Sequence, residues 1–74
     1  MKEFTVIVWE TEEEGERVYL STTFESRARA ERKIGQLYMN GIPFKYKRIP
    51  TSTTLEYIQW TQNELIRELV EEAK

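Results

Sequence analysis

Phe4-Thr5-Val6-Ile7-Val8-Trp9-Glu10-Thr11-Glu12-Glu13-Glu14-Gly15-Glu16-Arg17-Val18-Tyr19-Leu20-Ser21-Thr22-Thr23-Phe24 is the stretch whose reading decides the fold. Two runs of β-branched and aromatic residues flank a charged centre that ends in glycine. Branched and aromatic side chains suit a pleated, half-buried surface, so each run reads as a strand. Glu12-Glu13-Glu14-Gly15 reads as the turn, with Gly15 free to take positive φ. The two strands then form an antiparallel hairpin. Side chains alternate along a strand. Phe4, Val6, Val8, Val18, Leu20 and Phe24 are therefore expected on one buried face, and Thr5, Ile7, Trp9, Tyr19, Ser21 and Thr23 on a second, mixed face.

Beyond the hairpin, Ser26 is positioned to cap a helix running to about Asn40. Ala30, Ile34, Leu37 and Tyr38 recur at helical spacing and make its apolar stripe. Gly41 suits the C-terminal cap. Gly35 lies inside the helix at a cost of about 1 kcal/mol relative to alanine, which points to close packing there. Ile42 to Ile49 reads as a third strand, in which Ile42, Phe44 and Tyr46 alternate with Lys45 and Lys47. Pro43 cannot donate to a ladder and belongs at the strand's start or on an edge, and Pro50 ends the strand. Thr53 with Glu56 is a capping-box signature for a second helix, about Thr54 to Ala73. Leu55, Ile58, Leu65, Ile66, Leu69, Val70 and Ala73 form its apolar face, interrupted by Gln62. Tyr57 and Trp60 lie off that stripe.

The element order β-β-α-β-α gives one small α+β domain over residues 1–74, with a three-stranded antiparallel sheet and two helices. Helix 1 is expected on the Phe4/Val6/Val8 face. Helix 2 is long for so small a sheet. Its C-terminal half is expected to overhang and to contribute to a homodimer.

The side-chain inventory narrows the chemistry. The chain has no His, no Cys and no Asp. It therefore lacks the thiolate and imidazole ligands that bind transition metals tightly. It also lacks a side chain that ordinarily titrates near neutrality and the parts of a Ser-His-Asp or Cys-His arrangement. No EF-hand spacing is present. A non-enzymatic binding protein is expected, with no catalytic residue, no cofactor and no metal. No apolar run approaches the roughly 20 residues of a membrane span, and the start Met1-Lys2-Glu3-Phe4 lacks the apolar region of a signal peptide. A cytoplasmic location is expected, without membrane association.

The net charge of −2 hides segregation. Residues 1–16 carry six Glu against one Lys, residues 25–48 carry seven bases against two Glu, and the remainder is again acidic. Two surfaces of opposite sign follow. The basic set is Arg27, Arg29, Arg32, Lys33, Lys45 and Lys47, with Trp9 and Tyr19 expected on the same sheet face as the two lysines. Bases beside rings on an open sheet stack single-stranded nucleic acid. If helix 2 covers that face, the same rings are core. The acidic set, Glu10, Glu12, Glu13, Glu14 and Glu16 at the hairpin turn with Glu64, Glu68, Glu71 and Glu72 on helix 2, reads as a solvated face, a contact for a basic partner or a mimic of DNA phosphates. Tyr57 and Trp60, one helical turn apart, have the character of interface anchors.

Lys45, Lys47, Arg48 and Pro50, in a third strand after a charged hairpin and one helix, resemble the pattern of the small phage-encoded inhibitors of bacterial RNA polymerase. The chain departs from that pattern in its basic first helix and in having a whole second helix. The resemblance implies a short, cofactor-free protein of a mobile element that occludes a host protein. The residues expected to meet a protein partner are Glu12, Glu13, Glu14, Lys45, Lys47, Arg48, Tyr57 and Trp60. The alternatives are a nucleic-acid-binding domain built on the basic set and an acidic DNA mimic.

Overall fold

The computed structural model describes residues 2–73. Strands β1 (Glu3–Glu13) and β2 (Glu16–Phe24) form the hairpin, helix α1 (Arg27–Met39) follows, then strand β3 (Phe44–Pro50) and helix α2 (Leu55–Glu72). The sheet is antiparallel in the order β2-β1-β3. The chain is a mixed α+β domain. The run from β2 through α1 to β3 crosses over β1, so the first strand becomes the central one.

That position explains the hydrophobic density of β1. Val6, Ile7 and Val8 are all fully buried, because a helix covers each face of the sheet. A strand buried on both sides carries a continuous apolar run instead of an alternating one. Under α2 lie Val6, Val8, Ile49, Leu65 and Leu69, with Phe4, Tyr19, Ile58 and Ile66 at the margin. Under α1 lie Ile7, Ala30 and Leu37, with Trp9, Phe24, Ile34, Ile42 and Phe44.

The register corrects the expected faces. Thr5 stands opposite Phe24, Ile7 opposite Thr22 and Trp9 opposite Leu20. Odd residues of β1 therefore share a face with even residues of β2, and α1 takes that face. The even residues of β1 share theirs with Tyr19, Ser21 and Thr23, and α2 takes it. Alternation within each strand was legible. The parity between the strands depends on whether the loop length is even or odd: an even loop sets odd residues of one strand opposite even residues of the other, and grouping even with even would need an odd loop. Only Glu14 and Gly15 form the loop, both at positive φ (52° and 83°), as in a two-residue type I′ hairpin. Glu12 and Glu13 belong to β1.

Local signals set the helix ends. Ser26 Oγ accepts from the Arg29 N–H at 3.3 Å. At the other end the Ile42 N–H donates to the Leu37 carbonyl and the Gly41 N–H to that of Tyr38, with Gly41 at φ +67°. This is a Schellman cap. It draws Ile42 into the α1 core, so β3 begins at Phe44 and not at Ile42. For α2 the capping residue is Thr54, one position later than expected, accepting from the Tyr57 N–H at 3.2 Å. Gly35 meets no atom within 4 Å of where a Cβ would stand, so it serves no close approach.

The C-terminal half of α2 does not overhang. Leu65 and Leu69 are buried on the sheet, and Glu72 reaches Lys45 of β3. The exposed apolar residues of α2 are instead Leu55, Tyr57 and Trp60, in its first two turns. Thr61 completes the buried stripe, its hydroxyl donating to the Tyr57 carbonyl at 2.9 Å. A threonine that satisfies its own hydroxyl within the helix can take a core position. No helix among the described residues is long and apolar enough to cross a membrane.

Candidate functional site

Three of the residues expected to meet a partner come together. Lys47, Arg48 and Tyr57 line an open groove of about 500 Å³ with Ile49, Pro50, Ser52, Thr53 and Thr54. One wall is the last half of β3, and the other is the loop and first turn of α2. Trp60 adjoins it: its ring centroid lies 5.4 Å from that of Tyr57, at a tilt of 36°. Tyr57 is 44% exposed and Trp60 52%. The buried stripe of α2 runs through Ile58, Thr61, Leu65 and Leu69. Residues one position before those rotate toward the flank above β3, which carries Tyr57, Trp60, Glu64 and Glu68.

Arg48 joins the groove to the opposite face. Its side chain is 22% exposed, and its Nη2 lies 3.7 Å from Glu31 of α1, which also receives Arg27 Nε at 3.1 Å. The guanidinium stands 5.2 Å from the Tyr46 ring centroid. Arg48 Nε is buried and, among the described residues, has no hydrogen-bond partner. This Arg27–Glu31–Arg48 chain ties α1 to β3. Only the i, i+4 spacing of Arg27 and Glu31 signalled it in the sequence. The hydroxyl-bearing loop from Thr51 to Thr54, half of the groove wall, had no signal beyond its capping role.

Lys45 sits further along the same seam and is engaged internally. Its ammonium pairs with the Glu72 carboxylate. The hydrogen bond that Lys45 donates to Glu72 holds its pKa above the ordinary lysine value; desolvation opposes the shift, and the charges of Glu72 and Glu68 add to it. A cation held this way is a weaker candidate for partner contact than Lys47, which is exposed.

Glu12, Glu13 and Glu14 are exposed but stand at the other end of the sheet. β3 pairs from Trp9 down to Glu3, with Lys47 opposite Val6. Seven residues of extended strand separate Val6 from Glu13, roughly 23 Å at 3.3 Å per residue. The acidic turn and the groove are therefore separate surfaces. The turn lies instead toward the C-terminal end of α2, where Glu10 and Glu72 line a common recess with Pro43, Leu69 and Ala73.

The nucleic-acid set is split. Arg29, Arg32, Lys33 and Gln36 line a recess beside Phe24 on the α1 face, with Lys33 Nζ 4.3 Å from the Trp9 ring centroid. Arg27 is held by Glu31. Lys45 and Lys47 lie on the opposite face with Tyr19, whose hydroxyl donates to Glu10 at 3.2 Å. Trp9 does not share a face with those lysines. Both faces carry a helix, so the open stacking sheet that this set required does not form. Among the described residues no group of three or more His, Cys, Asp or Glu is placed to hold a metal ion. Comparison with protein-family models, curated proteins and solved structures found no match.

Proposed function

We propose that this chain is a non-enzymatic protein-binding module whose recognition surface is the groove between β3 and the start of α2. The observation that carries the reading is the meeting, at one open groove, of a tilted Tyr57–Trp60 pair with Lys47 and Arg48. Half-exposed aromatic rings supply large contact area at low entropic cost, and Arg, Tyr and Trp dominate binding hot spots. Adjacent cations steer an acidic partner and fix its register. The partner is accordingly a protein presenting carboxylates beside an apolar patch. Together with the resemblance to small phage-encoded polymerase inhibitors, this extends to an accessory protein of a mobile element that blocks or redirects a host protein by occlusion, inside the bacterial cell.

The test is capture from bacterial lysate on the immobilised chain. A discrete protein set is expected, released by Lys47→Glu or Trp60→Ala and retained by Glu13→Lys. Identical retention by all four forms, or no retention by the wild type, would overturn the reading.

One observation favours a second reading. Arg29 and Arg32 line a recess with Lys33, and among the described residues neither has an ion pair. Unneutralised arginines on one helix flank suit phosphate contacts. A gel shift with DNA or RNA that weakens steeply with salt and is lost in Arg29→Glu/Arg32→Glu would move the function to that flank.

A further inference from the structure

The sheet has two free edges, and they are built differently. β3 is guarded: Lys45, Lys47 and Arg48 punctuate it, Pro43 precedes it and Pro50 closes it. Charges and prolines on an edge strand discourage pairing with another chain. β2 carries no such guard. From Val18 to Phe24 it has no charge and no proline, and Leu20 is 41% exposed. Among the described residues nothing pairs with its outer side.

The Glu10 N–H donates to the Pro43 carbonyl, so the even residues of β1 turn their groups toward β3. With a period of two, the odd residues of β1 bond to β2, through their register partners Val18, Leu20, Thr22 and Phe24. The N–H and C=O groups of Arg17, Tyr19, Ser21 and Thr23 therefore aim outward.

We propose that the occupant of this edge is a second copy of the same chain, its β2 antiparallel to the first about a two-fold axis at Ser21. In that register Tyr19 faces Thr23 of the other copy and Ser21 faces its equivalent, giving about six backbone hydrogen bonds. Arg17 then stands opposite Glu25 at both ends. Glu25 is exposed, and Arg17 makes only a 3.8 Å contact to Glu10. The same antiparallel arrangement lays the acidic hairpin end of one copy, with Glu14 and Glu16, beside the basic start of α1 in the other, with Arg27 and Arg29. The charge segregation along the chain thus becomes self-complementary. The interface is isologous and the outer β3 edges are guarded, so assembly stops at a six-stranded dimer.

Sedimentation across micromolar concentrations tests this. The mass is expected to rise from 8.9 kDa to twice that value and no further. Ser21→Pro removes an outward donor that β1 does not use, and is expected to keep the monomer's circular dichroism while abolishing the dimer. Arg17→Glu is expected to weaken association by at least tenfold, and Arg17→Glu/Glu25→Arg to restore it. A monomer at every concentration, a dimer indifferent to both single changes, or a failed restoration would overturn the proposal. Loss of partner capture in Trp60→Ala would leave it untouched, because the groove lies on the opposite side of the sheet from β2.

Discussion

The ring of Tyr57 stands 5.4 Å from that of Trp60, tilted by 36°, with both rings about half exposed. Their positions at i and i+3 place them together, and the rotation of α2 keeps them outside the core. Each ring covers part of the other, and neither belongs to the buried core.

Trp60→Ala is accordingly expected to lower unfolding free energy by about 1–2 kcal/mol, well short of the roughly 3–5 kcal/mol of a core Trp→Ala change, because about half of the side chain is already in water. The same change is expected to weaken capture of the partner by about 30-fold, the size of a hot-spot loss of roughly 2 kcal/mol. Urea denaturation and titration of the captured partner, run on the same sample, separate the two effects.

The Lys45–Glu72 pair predicts a pH dependence with a definite sign. The folded-state pKa of Lys45 is raised, chiefly by the hydrogen bond to Glu72. Its stabilising contribution is therefore complete below the unfolded lysine value of about 10.4 and is lost as pH rises through the higher folded value. The gap in melting temperature between wild type and Glu72→Gln is expected to stay constant from about pH 8 to 10 and to close above that range. A gap that closes on acidification toward neutrality instead would contradict the pairing.

Glu14 occupies the left-handed region at φ 52°. A side chain there costs roughly 1 kcal/mol, which asparagine or glycine largely avoids. Glu14→Asn is expected to stabilise the domain by about 0.5–1 kcal/mol in urea denaturation, and removing one of several crowded carboxylates acts in the same direction.

Gly35 lies within α1 with open space where a Cβ would be. Gly35→Ala is expected to raise stability by about 0.5–1 kcal/mol, since alanine loses less backbone freedom and meets nothing. Destabilisation of similar size would show that something approaches this face closely.

Element order was legible in the sequence because each element carries its own punctuation: Ser26 and Gly41 around α1, Pro50 as the last residue of β3. Pairing parity was not, because it depends on whether the hairpin loop holds an even or an odd number of residues, and the charged run from Glu10 to Arg17 does not fix that count. The run from Phe4 to Trp9 already pointed to a helix on each face, since four apolar residues in succession at its end, Val6 to Trp9, mark a strand covered on both faces. For the candidate site, the residue types were readable and the grouping was not. Tyr57 and Lys47 meet only because α2 starts beside the end of β3, while Glu13, equally prominent in the sequence, lies at the other end of the sheet.

Site-specific photo-crosslinking in bacterial lysate reads out whether a protein partner sits in the β3–α2 groove. A photoreactive side chain is placed in turn at Lys47, Glu13 and Arg32. A discrete adduct from position 47, absent or much weaker from 13 and 32, is the predicted result. Adducts from 13 or 32 with none from 47 would contradict it.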